Sequence, residues 1–168
     1  MTNESTQAIA RLPALLRYWR WRYGLSAALP GLALGGLLLL VSLRAVDAES
    51  ALSNGLWPAF LGLVALGFVL GWRYAGLCFH HYRAEHHMGE GVVLYSGVWW
   101  RSEVWVPTAR LQHLDVSQGP LDRRWGMATL SLHTAGSHDQ HTRIHGLPLE
   151  QAHALREHLM PKHAIQHE

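Results

Sequence analysis

The sequence predicts a membrane α-helical hairpin followed by a small all-β domain, a sandwich or barrel, that a C-terminal helix caps. Three observations predict this fold class. Apolar residues form two long segments in the first half of the 168-residue chain. Residues 80–134 alternate polar and apolar positions as strands do, and residues 149–160 repeat apolar positions at helical spacing.

Two apolar segments are long enough to cross a bilayer. Residues 25–43 contain no charged side chain, and at the helical rise they cover roughly 28 Å. Residues 56–79 carry one charge, Arg73, near an end where its head group can reach the interface. A cleaved signal peptide is the competing interpretation of the first segment, but the apolar stretch is long for one and a second span follows. We therefore expect two transmembrane helices.

The charges beside these spans predict their orientation. Residues 1–24 hold four arginines against Glu4, whereas the short connecting loop holds Asp47 and Glu49 against Arg44. Arginine-rich flanks stay in the cytoplasm, so we expect a membrane protein with both termini cytoplasmic. The expected parts are a basic segment (1–24), the helix pair (25–79), a cytoplasmic domain (80–160) and a tail (161–168).

Small residues recur every four positions in both predicted spans. They are Ala27, Gly31 and Gly35 in the first, and Gly67, Gly71 and Ala75 in the second. This spacing puts them on one face of each helix, where they allow close backbone approach. Two interpretations remain open: the stripes pack against each other within the hairpin, or they contact a partner subunit.

The second half of the chain has the pattern of a small soluble domain. Strands are predicted over residues 91–95, 98–106, 111–118 and 127–134, with turn residues between them. An amphipathic helix follows over residues 149–160, with Pro148 at its first turn and Pro161 beyond its end.

Charge and motifs exclude several classes of function. Residues 80–168 carry eight Lys or Arg against nine Asp or Glu, so nucleic-acid binding is not expected. The chain shows no glycine-rich phosphate loop, nucleophile elbow or paired-carboxylate signature. We therefore expect a protein that is not an enzyme and has no cofactor.

Several runs in the second half resemble the YdbS-type membrane-flanked family. They are VP at 106–107, RLQHLDVSQGPL at 110–121, RRWGMATL at 123–130, TAG at 134–136 and GLP at 146–148. The resemblance implies a bacterial pleckstrin-homology-like domain, two short β-sheets capped by a C-terminal helix, attached to a two-helix membrane hairpin. It implies a location in the bacterial inner membrane and no catalytic residues.

The same resemblance implies a partner. Members of that family are often encoded beside a larger membrane protein bearing several such domains, so assembly with such a protein, or self-association, is expected by analogy. A role in envelope stress or antimicrobial peptide resistance is a further expectation at the level of the family. The favoured function is a non-enzymatic, membrane-anchored accessory subunit.

Five side chains are candidates for contact with membrane lipid or a partner: Arg110, Arg123, Arg124, Trp99 and Trp100. Arginines near a membrane attract anionic head groups, and exposed tryptophans anchor interfaces. Solvated arginines and core tryptophans are the alternatives. Eukaryotic relatives of the implied fold bind phosphoinositides through basic residues of the first hairpin. The corresponding region here, residues 86–92, has neither Lys nor Arg, so specific phosphoinositide binding is not expected.

Thirteen histidines raise the question of a metal site, with the pair His86 and His87 as a weak candidate. Imidazole binds zinc and copper, but no His-Glu-x-x-His motif occurs and surface or interface positions are favoured. The alternative function is therefore a membrane-proximal sensor that binds anionic lipid head groups or metal.

Overall fold

The computed structural model describes residues 6–45, 56–135 and 141–160. It divides into two compact units, a helical unit over Leu16–Phe79 and a soluble unit made of Met1–Leu15 and His80–Glu168. The soluble unit is therefore discontinuous in sequence, because the chain leaves it near Leu15 and returns at His80.

The helical unit contains the two predicted helices. Helix α1 spans Pro13–Ala45 and helix α2 spans Leu56–His81. Both are long and apolar enough to cross a membrane, and only 17% and 11% of their most apolar windows are buried. The core helix of a soluble protein would be mostly covered, so this exposure favours a lipid-facing surface. Helix α1 begins twelve positions before the predicted residue 25, because Pro13 suits a first helical turn and no helix breaker follows until Pro30.

The first sheet of the soluble unit has four antiparallel strands in sequence order. These are β1 (Thr6–Ala8), β2 (Arg83–His87), β3 (Gly91–Ser96) and β4 (Ser102–Pro107). Strand β1 pairs with β2, with Thr6 opposite His87 and Ala8 opposite Glu85. The helical hairpin is thus inserted between the first two strands of this sheet.

The second sheet has three antiparallel strands, also in sequence order. These are β5 (Leu111–Ser117), β6 (Met127–Thr134) and β7 (His141–Pro148). A 3₁₀ turn, Thr108–Arg110, links the two sheets, and the short helix α3 (Pro120–Trp125) connects β5 to β6. Helix α4 (Leu149–Leu159) buries Ala152, Leu155 and Leu159. Two sheets capped by a C-terminal helix confirm the predicted fold class.

The structure corrects several details of the predicted strands. The strand expected over residues 98–106 begins only at Ser102, because Gly97 adopts φ +93° and the chain turns there. Strands β1, β2 and β7 were not predicted, since β1 has three residues and each of the other two contains three consecutive polar residues, Glu85–His87 and His141–Arg143. Arg123 and Arg124 lie in α3, which ends at the left-handed Gly126.

Candidate functional site

The small-residue stripes meet inside the helical hairpin. A Cβ added to Gly67 would lie 3.3 Å from the carbonyl carbon of Ala27, and one added to Gly31 would lie 3.4 Å from the Cα of Val64. A Cβ on Gly71 would lie 2.7 Å from the carbonyl carbon of Tyr23. Gly35 faces the ring of Phe60. Of the two interpretations left open by the sequence, this geometry favours packing within the hairpin.

A cavity of about 640 Å³ lies in the soluble unit beside the end of β3. Its charged and titratable lining consists of Arg11, Arg83, Arg101, His80, His81 and Glu103. We call it the basic cavity. Three arginines surround one carboxylate among these described residues, so the positive charge is in excess. This grouping was not predicted, because its members lie up to 92 positions apart and meet only when β1 pairs with β2.

Two of the three arginines of the basic cavity have a defined contact. The Arg11 guanidinium donates a hydrogen bond to the carbonyl oxygen of Tyr82, and the Arg83 guanidinium lies 6.0 Å from the ring centroid of Tyr95. Burial, and then the neighbouring charge of Arg83, lower the pKa of Arg11. The two cations therefore repel each other at the cavity wall.

The loop between β3 and β4, residues 97–101, presents two tryptophans to its surroundings. We call it the tryptophan loop. The side chains of Trp99 and Trp100 are 80% and 89% exposed, so neither contributes to the core. Gly97, Arg101 and the flanking Ser96 and Ser102 also line the basic cavity. The loop and the cavity therefore form one continuous surface.

The structure separates the predicted arginines from this surface. Arg110 follows β4, so the six-residue strand puts it about 20 Å from the tryptophan loop. Arg123 and Arg124 are exposed in α3, beyond the far end of β5. The five predicted contact residues therefore do not form one site, and only Trp99 and Trp100 adjoin the basic cavity.

The pair His86 and His87 does not converge on a common point. Successive residues of a strand point to opposite faces, and His86 is buried while His87 is half-buried and lies 3.2 Å (Nδ1) from the Thr6 hydroxyl. Burial, followed by the charges of His158 and His87, lowers the pKa of His86. His86 is therefore neutral in the folded protein at neutral pH.

Another histidine group crosses the second sheet. His113 and His133 occupy paired positions and both contact Asp115, at 2.9 Å and 3.4 Å, while His141 stacks on His133 with ring centroids 5.8 Å apart. Within residues 6–45, 56–135 and 141–160, no group of three His, Cys, Asp or Glu side chains is arranged to hold a metal ion.

Comparison with known proteins identifies the family to which this architecture belongs. The family profile described as "Bacterial PH domain" matches residues 27–163. The chain belongs to the bacterial PH domain family. It is also 35% identical over 79 residues to the UPF0699 transmembrane protein YdbS of Bacillus subtilis (strain 168), a match that covers 45% of each protein. No solved structure matches the chain.

These findings confirm the resemblance to the YdbS-type family and identify a membrane protein with a PH-like domain. They also alter the comparison with eukaryotic PH domains. Residues 86–92 form the first hairpin only if the sheet begins after the membrane helices, whereas in this bacterial PH domain β1 precedes them. The first connection of the sheet is therefore the helical hairpin itself, and the β2–β3 turn is the second connection.

Proposed function

We propose that this chain is a non-enzymatic, membrane-anchored accessory subunit that assembles with a larger membrane protein carrying related PH-like domains. The proposal has both termini in the cytoplasm of the cell, which the arginine-rich first 24 residues support. It includes, at the level of the family, a role in envelope stress or antimicrobial peptide resistance.

The observation that carries the assembly proposal is the outer edge of the first sheet. Strand β4 is the last strand in the order of that sheet and is six residues long. Among the described residues no strand pairs with its outer side, and a strand added at such an edge is one way in which sheets recruit partners. Glu103 and Pro107 near its two ends limit indiscriminate pairing, because charge and proline disfavour a further strand.

An aromatic side chain lies on this edge. Trp105, in the middle of β4, is 46% exposed and its ring centroid lies 5.3 Å from that of His87 on β2. A half-exposed tryptophan supported by a neighbouring ring is a typical anchor for a protein partner. A related domain that adds a strand beside β4 and also packs on this face of the sheet would cover it.

The proposal is tested by isolating the full chain from native membranes in mild detergent and measuring complex masses by native mass spectrometry. We expect a stoichiometric complex with a membrane protein that contains similar domains. Trp105→Ala should reduce its recovery, whereas Leu121→Ala, which removes a side chain of similar exposure (49%) on α3, should not.

Two results would overturn this assignment. Recovery of monomer alone would exclude a stable partner. Recovery of a complex made only of this chain would show that it associates with itself and not with a larger partner. The orientation is tested separately with a reporter that is active only in the cytoplasm. It should be active at the C-terminus and inactive when inserted after Ser50.

A further inference from the structure

The basic cavity and the tryptophan loop combine two chemistries that meet at the surface of a bilayer. Guanidinium groups form paired hydrogen bonds with phosphate oxygens. Tryptophan places an apolar ring and an N–H donor at the boundary between head groups and hydrocarbon. In this chain the two features are adjacent, because Gly97 and Arg101 belong to both.

The electrostatics of the cavity favour an anionic occupant. Arg83 and Arg101 lie in its wall with Arg11, whose guanidinium is held by the Tyr82 carbonyl. The acidic residue of the wall, Glu103, is outnumbered by these three arginines. An anion between Arg11 and Arg83 would relieve the repulsion between these two cations.

The position of the cavity along the chain favours a membrane lipid as the source of that anion. Arg11 precedes the first residue of α1 by two positions, and His80 and His81 are the last residues of α2. Arg73, whose charge is expected at the interface, lies eight residues before His81, or about 12 Å along the helix. Residues that line the cavity therefore adjoin both candidate membrane spans in the sequence.

We propose that the basic cavity binds the phosphate of an anionic lipid head group, with Trp99 and Trp100 inserted into the interfacial layer of the membrane that holds α1 and α2. This site goes beyond the proposed accessory function and uses a different surface from the β4 edge. Arg83 and Arg101 contact the phosphate, and the two tryptophans fix the depth of the loop.

The first experiment measures lipid retention. The full chain is purified in mild detergent containing equal amounts of phosphatidylglycerol and phosphatidylcholine, and bound lipid is counted by native mass spectrometry. We expect preferential retention of phosphatidylglycerol. Arg83→Gln and Arg101→Gln should each lower it about tenfold, the loss expected for a charge-assisted hydrogen bond of about 1.4 kcal/mol.

Matched variants and a competitor make this result specific. Arg110→Gln and Arg124→Gln remove exposed arginines outside the cavity and should leave retention unchanged. Arg83→Lys should restore part of it, since lysine keeps the charge and loses the paired geometry. Three results would each overturn the proposal. They are equal retention of the two lipids, equal effects of all arginine variants, and displacement of the lipid by millimolar inorganic phosphate.

The second experiment locates the tryptophan loop. The full chain is reconstituted in nanodiscs with and without brominated lipid, and its fluorescence is compared with that of the Trp99→Phe/Trp100→Phe variant. The fluorescence of Trp99 and Trp100, which is the emission missing from the double variant, should be quenched by the brominated lipid. If that component is insensitive to brominated lipid, the loop lies in water or against protein, and the membrane-insertion part of the proposal fails.

Discussion

The contact between the two membrane helices gives a prediction whose size follows from the structure. Adding a methyl group to Gly71 in α2 would place a Cβ 2.7 Å from the carbonyl carbon of Tyr23 and 2.8 Å from the Cβ of Ala27, both in α1. Side-chain carbons are normally about 3.5–4.0 Å from such atoms. Gly71→Ala therefore requires the helices to separate or shift locally.

The expected change in the stability of the helix pair in Gly71→Ala is the balance of two effects. Alanine gains about 1 kcal/mol over glycine in a helix interior, whereas overpacking costs about 1–3 kcal/mol. The obstacle at Gly71 includes rigid backbone, so we take the upper part of that range and expect a net loss of about 1–2 kcal/mol. At Gly76, in the same helix, an added Cβ meets nothing within 4 Å, and Gly76→Ala should be neutral or stabilising.

The assay is titration of the detergent-solubilised chain with sodium dodecyl sulfate, followed by tryptophan fluorescence. The rings of Trp21 and Trp72, whose centroids are 5.6 Å apart across the hairpin, report on helix separation. Ala27→Gly should recover part of the loss in Gly71→Ala, because it removes one of the two clashes. Equal midpoints for Gly71→Ala and Gly76→Ala would refute this account of the helix contact.

Two further predictions concern the soluble unit. Burial lowers the pKa of His86 from its ordinary value of 6.5. Below pH 6.5 the unfolded chain therefore binds the proton more readily than the folded chain, and the free energy of unfolding decreases as the pH falls. Between about pH 8 and about pH 5.5, the melting temperature should fall less for His86→Gln than for wild type. His153→Gln, which changes an exposed histidine, should behave as wild type. Tyr82→Phe removes the hydroxyl that accepts the His145 backbone N–H at 2.7 Å, and should cost about 1–3 kcal/mol at neutral pH. Burial raises the pKa of Tyr82 to about 12, so wild type should lose stability from about pH 10 upward, more steeply than Tyr82→Phe; identical alkaline profiles would contradict this.

The sequence by itself determined the elements whose signals are local. Nineteen consecutive residues without a charge specify a membrane helix regardless of neighbours. The apolar alternation of β6 and the helical spacing of Ala152, Leu155 and Leu159 likewise predict their own conformations. The longer runs shared with the YdbS-type family added the two-sheet arrangement, which alternation alone left as a sandwich or barrel.

Only the tertiary structure decided which distant residues meet. Strand β1 has three residues and no periodicity to detect, yet its pairing with β2 inserts the hairpin into the sheet. The turn at Gly97 depends on a positive φ, and it takes Trp99 and Trp100 out of the strand in which alternation had placed them. The small-residue stripes were visible in the sequence, but spacing cannot tell which surface faces them.

The basic cavity is the clearest example of this division. In the sequence, Arg11 belongs to the basic flank that orients the first span. No sequence pattern connects Arg83 or Arg101 with it. They share one wall because backbone hydrogen bonds between β1 and β2 close a loop that contains both membrane helices. Local periodicity carries no information about that closure, since it depends on contacts between residues 77–81 positions apart.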